Sequence, residues 1–413
     1  MDKKNVMIIA NALTGGGAER LVSDISRGIQ DKYNLFVVVY KKNENDYDHG
    51  GTRIDLELLS KTKFGKIMCA IKRLIKVRSL KKKYKIDCSI SFVPQTDYIN
   101  VFSRQKGEKV IIDVVSNMSL AFPSGIKRKF RKYILKKADL LITVSEGVRK
   151  DLLNNFGCSM EKSKTIYNAC DVETIMSSKL STRQSRDFFS DESGIYICNL
   201  GSFRHPKGQW HLLKAFSIVK QEFPNSKLFL LGDGVYRTQL ESLARNLKIS
   251  DSVIMPGFIS NVHAIIKRSH VFAFSSIYEG FGNVLVEALA CGVPIVSTDC
   301  PFGPREILAP ETMPNKVASG IEVGEYGILV PPFNSDSIDI SSSINDNEKL
   351  FGQAIVFLLK NDLLRKEYSE KGLLYCKNFD YKTISEKWIR CIDDCLINRR
   401  GDHESYFNNR RSL

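Results

Sequence analysis

The chain has 413 residues, of which 43% are apolar, 26% charged and 10% aromatic, as in an ordinary globular protein. This length predicts two domains, and no apolar run approaches the ~18 residues that a membrane-spanning helix needs. The net charge of +15 is unevenly spread, since residues 1–190 hold 36 Lys and Arg against 20 Asp and Glu, whereas the remainder holds 25 against 26. A first half this basic indicates an acidic partner, either nucleic acid or an anionic membrane.

The N-terminus favours a cytoplasmic protein. Only the short apolar stretch 6–10 follows the first charged residues, which suits a first strand better than a secretory leader. Ten scattered cysteines without a Cys-x-x-Cys pair fit a reducing compartment.

The first half of the chain alternates between strand-like and helical patterns. Apolar residues recur at helical spacing within 18–30, between the first two apolar runs. The predicted strands are 6–10, 35–40, 86–92, 110–114 and 140–144. This alternation predicts a mostly parallel, doubly wound sheet.

A Ser-rich stretch at 177–193 predicts a linker, and the alternation restarts beyond it. The predicted strands there are 196–200, 228–231, 253–255, 271–274 and 295–297, and a last helix covers 381–398. The predicted fold class is α/β, with two Rossmann-like doubly wound parallel-sheet domains facing a cleft. The predicted domains are 1–185 and 190–380, followed by a C-terminal helix and tail at 381–413 that can cross back to the first domain.

The strongest chemical signal is the segment 275–294, SSIYEGFGNVLVEALACGVP. A predicted strand ends just before it and a helix begins within it, so Glu279 lies at the carboxyl end of a parallel strand, where α/β proteins bind ligands. Gly280 and Gly282 allow backbone N–H groups to approach an anion, and the helix N-terminus adds donors suited to a diphosphate. Glu287 can accept hydrogen bonds from ribose hydroxyls, and Glu279 from sugar hydroxyls. A plain surface loop followed by an exposed helical Glu is the alternative, and it leaves the agreement of strand, glycines and helix start unexplained.

This segment resembles the retaining glycosyltransferases of family 4, which have the GT-B fold, through their Glu-x7-Glu pattern. The resemblance implies that Glu279 contacts the transferred sugar, that Glu287 contacts the ribose, and that the turn Gly280–Val284 supports the diphosphate. The family also has a basic pair that clamps the diphosphate. The resemblance implies that Lys207 fills one place of that pair. The usual place of the other is Ser202 here, and Arg204, two residues later, can reach the phosphates from a shifted position.

Other segments are similar to the family in the same order along the chain, including the glycine-rich loop at 15–17 and Asn168-x-x-Asp171. The family's histidine near the reacting sugar has no counterpart, and Asp113, Ser116 or Asn117 are alternative substitutes for it. The resemblance implies Glu279 and Lys207 as catalytic residues. The implied donor-binding residues are Gly16, Gly17, Arg204, Lys207, Gly280, Phe281, Gly282, Asn283, Val284 and Glu287.

The resemblance implies a hexosyltransferase that works without a metal ion or other cofactor. The segment 299–308 is similar to enzymes that build bacterial surface polysaccharides, such as O-antigen or capsule, and lipid-linked oligosaccharides. This similarity predicts a UDP-linked hexose or N-acetylhexosamine donor and a polyprenyl-diphosphate-linked saccharide acceptor. Two alternatives stay open: a nucleotide-sugar 2-epimerase-like isomerase, which would not need a membrane surface, and a non-catalytic saccharide-binding protein of the same fold.

Two basic tracts interleaved with apolar residues predict a membrane-binding surface. Residues 61–85 contain eleven Lys or Arg and residues 124–137 contain seven, with no acidic residue in either tract. Because basic amphipathic helices lie on anionic lipid, we expect peripheral association with the inner face of the cell membrane. The predicted membrane-facing residues are Lys81, Lys82, Lys83, Lys127, Arg128 and Lys129. Nucleic-acid binding is not predicted, since no recognised module accompanies the charge.

Overall fold

The computed structural model describes residues 2–58, 62–179, 188–189, 193–259, 261–313, 316–334 and 337–397. These residues divide into two compact units. The first unit contains the described residues of Met1–Val144, Val148–Ala169 and Tyr381–Leu413, and the second contains those of Ser145–Gly147 and Cys170–Asp380. The predicted linker 177–193 falls mostly outside the described residues, and the chain enters the second unit earlier, at Cys170.

The first unit is built on a seven-stranded sheet. Its strands are β1 Asn5–Ala10, β2 Asn34–Val39, β3 Thr52–Asp55, β4 Cys88–Ser91, β5 Lys109–Val114, β6 Leu140–Thr143 and β7 Ser163–Thr165. They pair in parallel in the order β3-β2-β1-β4-β5-β6-β7. The connecting helices are α1 Gly17–Ile29, α2 Lys63–Lys83, α3 Pro94–Phe102, α4 Met118–Ala121, α5 Gly125–Lys137 and α6 Glu146–Asp151. Helix α6 belongs to this unit from Val148 onward and continues as a π-helix over Leu152–Phe156.

The second unit repeats this plan. Its strands are β8 Ile195–Leu200, β9 Ser226–Leu231, β10 Val253–Ile254, β11 Val271–Phe274, β12 Ile295–Thr298, β13 Glu322–Val323 and β14 Ile328–Val330. Their order is β10-β9-β8-β11-β12-β14-β13, and β13 is antiparallel to its neighbour. The helices are α7 Val172–Ser177, α8 Gln209–Glu222, α9 Arg237–Asn246, α10 Val262–Ile266, α11 Asn283–Ala290, α12 Pro304–Leu308, α13 Asp346–Lys360 and α14 Asp362–Tyr375.

Helix α15, Tyr381–Ile397, completes the first unit. The hydroxyl of Tyr33 donates a hydrogen bond to the Asp393 carboxylate at 2.8 Å. The ring of Trp388, which is buried, lies 5.9 Å from the ring of Phe92. The last described helix is therefore part of the core that covers the first sheet.

The predicted pair of doubly wound parallel sheets is confirmed. Strand β11 has the predicted bounds, because a fully buried parallel strand is a continuous apolar run. Strand β3 was missed because it lies at an edge and reads Thr-Arg-Ile-Asp, so only one of its four residues is apolar. Parallel sheets place the carboxyl ends of their strands, and hence the following loops, at one edge of each unit.

Candidate active site

The segment 275–282 connects β11 to α11 at the carboxyl edge of the second sheet. Gly282 precedes the helix with φ of +93°, a conformation that a side chain rarely adopts. Helix α11 begins at Asn283, so the N–H groups of its first turn have no carbonyl acceptor within the helix. These donors and the positive end of the helix dipole suit an anionic group.

Lys207 and Glu279 meet at this edge. The Lys207 Nζ lies 2.6 Å from Glu279 Oε1, and the Ser276 hydroxyl donates a second hydrogen bond to the same oxygen at 2.8 Å. The two charged side chains keep 25% and 13% of their surface exposed, so both remain open to a ligand. The Glu279 N–H donates to the carbonyl of Pro301 at 3.2 Å, which joins the residue to the loop after β12.

The loop that carries Lys207 is fastened to the end of β11. The Ser275 hydroxyl donates to the Lys207 carbonyl at 2.9 Å. At Gly208, φ is +58°, and a Cβ atom would lie 2.3 Å from the Ser275 carbonyl oxygen. Only glycine allows this approach, so the packing requires Gly208, and the backbone of its neighbour Lys207 is held close to the end of β11.

Glu287 lies one turn into α11, and its partner was not expected from the sequence. His263 Nε2, in α10, lies 2.8 Å from Glu287 Oε2, and both side chains are about a quarter exposed. His263 stands 24 positions before Glu287, and no motif in its surroundings signals a role. Ser276 was also missed, although it lies within the segment that carries Glu279.

The remaining residues of the predicted donor site differ in exposure. Arg204 is exposed and precedes the short 3-10 turn His205–Lys207, so it shares a loop with Lys207. Phe281 is buried, whereas Asn283 and Val284 are partly exposed in the first turn of α11.

One hydrogen bond from outside the motif supports the turn, and one buried thiol lies close enough to feel the charge of Glu279. The hydroxyl of Ser145, in the short segment that belongs to the second unit, donates to the Gly280 carbonyl at 2.7 Å. Burial raises the pKa of the Cys300 thiol well above its usual range, and the charge of Glu279 acts in the same direction. A neutral, buried thiol therefore lies near the Glu279 carboxylate.

Gly16 and Gly17 lie in the first unit, where Gly16 precedes α1 and Gly17 is its first residue. Their role in donor binding stays a prediction. Three further residues of this unit were alternatives for the missing histidine. Asp113 is buried, and its burial and the neighbouring Asp97 raise the pKa of its carboxyl. Asn117 caps α4 by accepting the Leu120 N–H, and Ser116 is the exposed residue of the three.

The predicted membrane-facing residues divide into two groups. Lys82, Lys83, Lys127 and Lys129 are exposed. Lys81 is fully buried, and its Nζ lies 2.6 Å from the Glu108 carboxylate, so its assignment to the membrane face was wrong. The physical reason is that a buried carboxylate needs a cation, and Lys81 supplies it.

Arg128 is half-buried and also serves the unit itself. Its guanidinium donates to the backbone carbonyls of Phe122, Pro123 and Asn155 and lies 4.8 Å from the centre of the Phe156 ring. These contacts tie α5 to its neighbours, so Arg128 is a weaker candidate for lipid contact than the four exposed lysines.

Large apolar side chains are exposed on the same helices. On α2, Phe64 is 75% exposed, and on α5, Ile126 is 83% exposed. Helix α3 packs against both α2 and α5. We call a set of eleven exposed residues of α2 and α5 the basic apolar surface: Phe64, Ile67, Ile71, Ile75, Lys82, Lys83, Ile126, Lys127, Lys129, Phe130 and Tyr133. None of the helices within the described ranges is long and apolar enough to cross a membrane.

Two family models match the chain in succession. One, described as Glycosyltransferase Family 4, matches residues 15–174, and the other, Glycosyl transferases group 1, matches residues 181–348. A protein of Methanocaldococcus jannaschii described as an uncharacterised glycosyltransferase is 31% identical over 343 residues, which cover 79% of this chain and 84% of that protein. A Campylobacter jejuni protein is 28% identical over 402 residues, covering 95% of this chain and all of the relative. It is named N-acetylgalactosamine-N,N'-diacetylbacillosaminyl-diphospho-undecaprenol 4-alpha-N-acetylgalactosaminyltransferase.

Solved structures resemble the chain over nearly its whole length. A glycosyltransferase from Rickettsia africae superposes with a TM-score of 0.75 at 17% identity, covering 97% of this chain and all of that one. The HepE protein of Anabaena, solved in complex with UDP and glucose, superposes with a TM-score of 0.73 at 17% identity, covering 95% of this chain and all of that one. At this identity the likeness shows the fold alone, which is the two-domain Rossmann-like GT-B fold predicted from the sequence.

Proposed function

The chain belongs to the glycosyltransferases and is an enzyme of the hexosyltransferase class, and on that premise we propose its reaction. The enzyme transfers a hexose or N-acetylhexosamine, with retention of anomeric configuration, from a UDP-linked donor to a lipid-linked saccharide. The acceptor is a polyprenyl-diphosphate saccharide at the inner face of the cell membrane, and the product enters a bacterial surface polysaccharide such as O-antigen or capsule.

The observation that carries this proposal is the Lys207–Glu279 pair beside the start of α11. Glu279 Oε1 is held by Lys207 at 2.6 Å and by Ser276 at 2.8 Å. Within the part of the chain that the structure describes, no donor contacts the other carboxylate oxygen, which can accept from sugar hydroxyls. Lys207 places a cation next to this carboxylate, at the edge where the helix N-terminus favours a diphosphate. A sugar and the diphosphate that leaves it are bonded to each other, so adjacent groups for each are the arrangement that the reaction requires.

Retention of configuration requires the acceptor hydroxyl to arrive on the face from which the nucleotide departs. In this reaction the leaving diphosphate helps to remove the proton of the incoming hydroxyl, through an oxocarbenium-like transition state. The enzyme's task is then to stabilise charge that develops on the diphosphate, a preorganised electrostatic effect. Lys207 and the backbone donors of Gly280–Val284 supply it, with Arg204 on the same loop as a further cation.

Two observations support a lipid-linked acceptor. The Campylobacter relative is named for an undecaprenol-diphosphate acceptor, and a second protein of that organism, 24% identical over 394 residues, is named for a related one. Independently, the basic apolar surface of the first unit combines exposed apolar side chains with exposed lysines, as a helix lying on anionic lipid does.

The reaction is tested by incubating the enzyme with nucleotide sugars and a polyprenyl-diphosphate saccharide. We expect transfer from a UDP-hexose or UDP-N-acetylhexosamine, with an α-linked donor giving an α-linked product, which proton NMR of the released saccharide measures. The same saccharide without its lipid is the matched control and should react more slowly, since it lacks the membrane-held part. A β-linked product would contradict retention, and an isomerised donor without transfer would favour the epimerase-like alternative.

The basic apolar surface leads to a second prediction, on membrane binding. Replacing Lys82, Lys83, Lys127 and Lys129 with Gln should weaken binding to vesicles containing anionic lipid by roughly 10- to 100-fold, at ~1 kcal/mol or less per cation. The remaining binding should depend less on salt, because fewer charges are left for salt to screen. Vesicle sedimentation at two salt concentrations measures both effects.

The control for this prediction removes the same number of positive charges from the second unit. Replacing the exposed Lys248, Lys366, Lys371 and Lys377 with Gln removes four cations and should leave vesicle binding nearly unchanged. Nucleotide binding should be the same in both variants, since none of these lysines belongs to the candidate active site. Equal vesicle binding by the wild type and the first variant would mean that the tracts are solvated faces.

A further inference from the structure

His263 is the residue of the second unit that holds the Glu287 carboxylate. Its Nε2 lies 2.8 Å from Glu287 Oε2. A carboxylate can only accept hydrogen bonds, so Nε2 carries the proton and donates it. Among the described residues, no hydrogen-bond donor contacts the second oxygen of Glu287, Oε1.

The helix that carries His263 is itself fastened to the chain around it. The Lys267 ammonium donates to the carbonyl of Met176 at 2.5 Å and to that of Ser178 at 3.1 Å, which joins α10 to the end of α7. The Asn261 side chain donates to the Lys179 carbonyl at 2.6 Å. From the other side, the Cys291 thiol at the end of α11 donates to the His263 carbonyl at 3.5 Å. The imidazole therefore extends from a short helix whose position is set at both ends.

We infer that His263 is a positioning residue that makes the donor site selective for a nucleotide with intact ribose hydroxyls. By occupying Oε2, it orders a side chain with three rotatable torsions before any ligand arrives, which lowers the entropy lost on binding. It also fixes the plane of the carboxylate, with Oε1 directed to a hydroxyl donor. This inference rests on the proposed role of Glu287 as the ribose acceptor, and it adds the group that sets the geometry of that role.

The test compares nucleotides that differ only in the ribose. UDP and GDP are titrated by calorimetry, each beside its 2′,3′-dideoxy form, which lacks both hydroxyls that Glu287 could bind. For the base that binds, we expect the wild type to prefer the ribonucleotide by about 10- to 100-fold, the range for a lost hydrogen bond to a charged group. In His263→Leu this preference should shrink about 5- to 10-fold, because Glu287 is no longer held, while affinity for the dideoxy form changes little.

Three further variants show whether His263 acts by orienting Glu287, by supporting the fold, or not at all. His263→Gln keeps an N–H donor near the place of Nε2, so its preference should lie within about threefold of the wild type. Glu287→Ala removes the acceptor and should lose the preference. His49→Leu is the matched replacement of a partly exposed histidine in the first unit and should change nothing.

The outcomes are distinct. If His263→Leu keeps the wild-type preference for the ribonucleotide while Glu287→Ala loses it, the inference about His263 is wrong and the proposed donor site stands. An unchanged preference in Glu287→Ala, or no binding of either nucleotide by the wild type, overturns the proposed donor site and the inference with it. A uniform loss of affinity for both forms in His263→Leu and His263→Gln would show a merely structural role and would also overturn it.

Discussion

Replacing Glu279 with Gln should lower kcat for sugar transfer by about 10²- to 10³-fold, the size of effect seen when one preorganised electrostatic group is lost. Gln keeps the shape of the side chain and can still accept the Ser276 hydroxyl, but it removes the charge that faces Lys207 Nζ at 2.6 Å. The sugar then loses a charged acceptor, and Lys207 loses the partner that holds its amine beside the diphosphate. Steady-state transfer assays give the rate, and thermal unfolding shows that the variant is folded.

We expect the Lys207–Glu279 pair to act as a unit, which a double-mutant cycle measures. Lys207→Met alone should lower kcat by a similar factor. The kcat of the double variant, Glu279→Gln with Lys207→Met, should be only slightly below that of the less active single variant. The control is Glu222→Gln, which breaks an exposed ion pair with Lys360 of the same 2.6 Å length. Wild-type turnover by Glu279→Gln would remove the residue from the site, and fully multiplicative losses would mean that the two residues act independently.

Replacing Lys81 with Met should lower the free energy of unfolding by about 3–5 kcal/mol, the cost of leaving a buried charge without its partner. The Lys81 ammonium lies 2.6 Å from Glu108 Oε1, 2.7 Å from Asn100 Oδ1 and 3.1 Å from Ser89 Oγ, and the side chains of Lys81 and Glu108 have no exposed surface. Met fills a similar volume but offers none of these acceptors a donor. Urea unfolding followed by circular dichroism measures the change.

The neighbouring residue is the matched control for this variant. Lys82 is exposed on the same helix, and Lys82→Met should change stability by no more than about 0.5 kcal/mol. Adding Glu108→Gln to Lys81→Met removes the unpaired charge and should recover part of the loss. If Lys81→Met unfolds at the same urea concentration as the wild type, Lys81 is not buried in solution, and it returns to the list of membrane-facing residues.

The fold and the two glutamates could be predicted from the sequence because the patterns that specify them are local. A buried parallel strand is a continuous apolar run, and β11 has the bounds that its run predicts. Glu279 and Glu287 lie in one continuous strand–turn–helix segment, so the spacing between them already places both near one helix terminus. The start of α11 at Asn283 follows from the glycine before it in the same way.

Contacts between distant segments could not be predicted this way. Helical spacing puts Lys81 four positions after the buried Val77 and Lys82 off that face, but it does not show whether a lysine on that face is buried with a partner or extends to solvent. The structure distinguishes them through Glu108 and Asn100, acceptors that the chain supplies from α3 and the loop after it. His263 is recognised only once α10 and α11 are packed together, because its role depends on a single interatomic distance to Glu287. Apolar pattern is a property of one segment, whereas the pairing of a buried charge depends on the other segments that surround it, and only the folded chain brings those together.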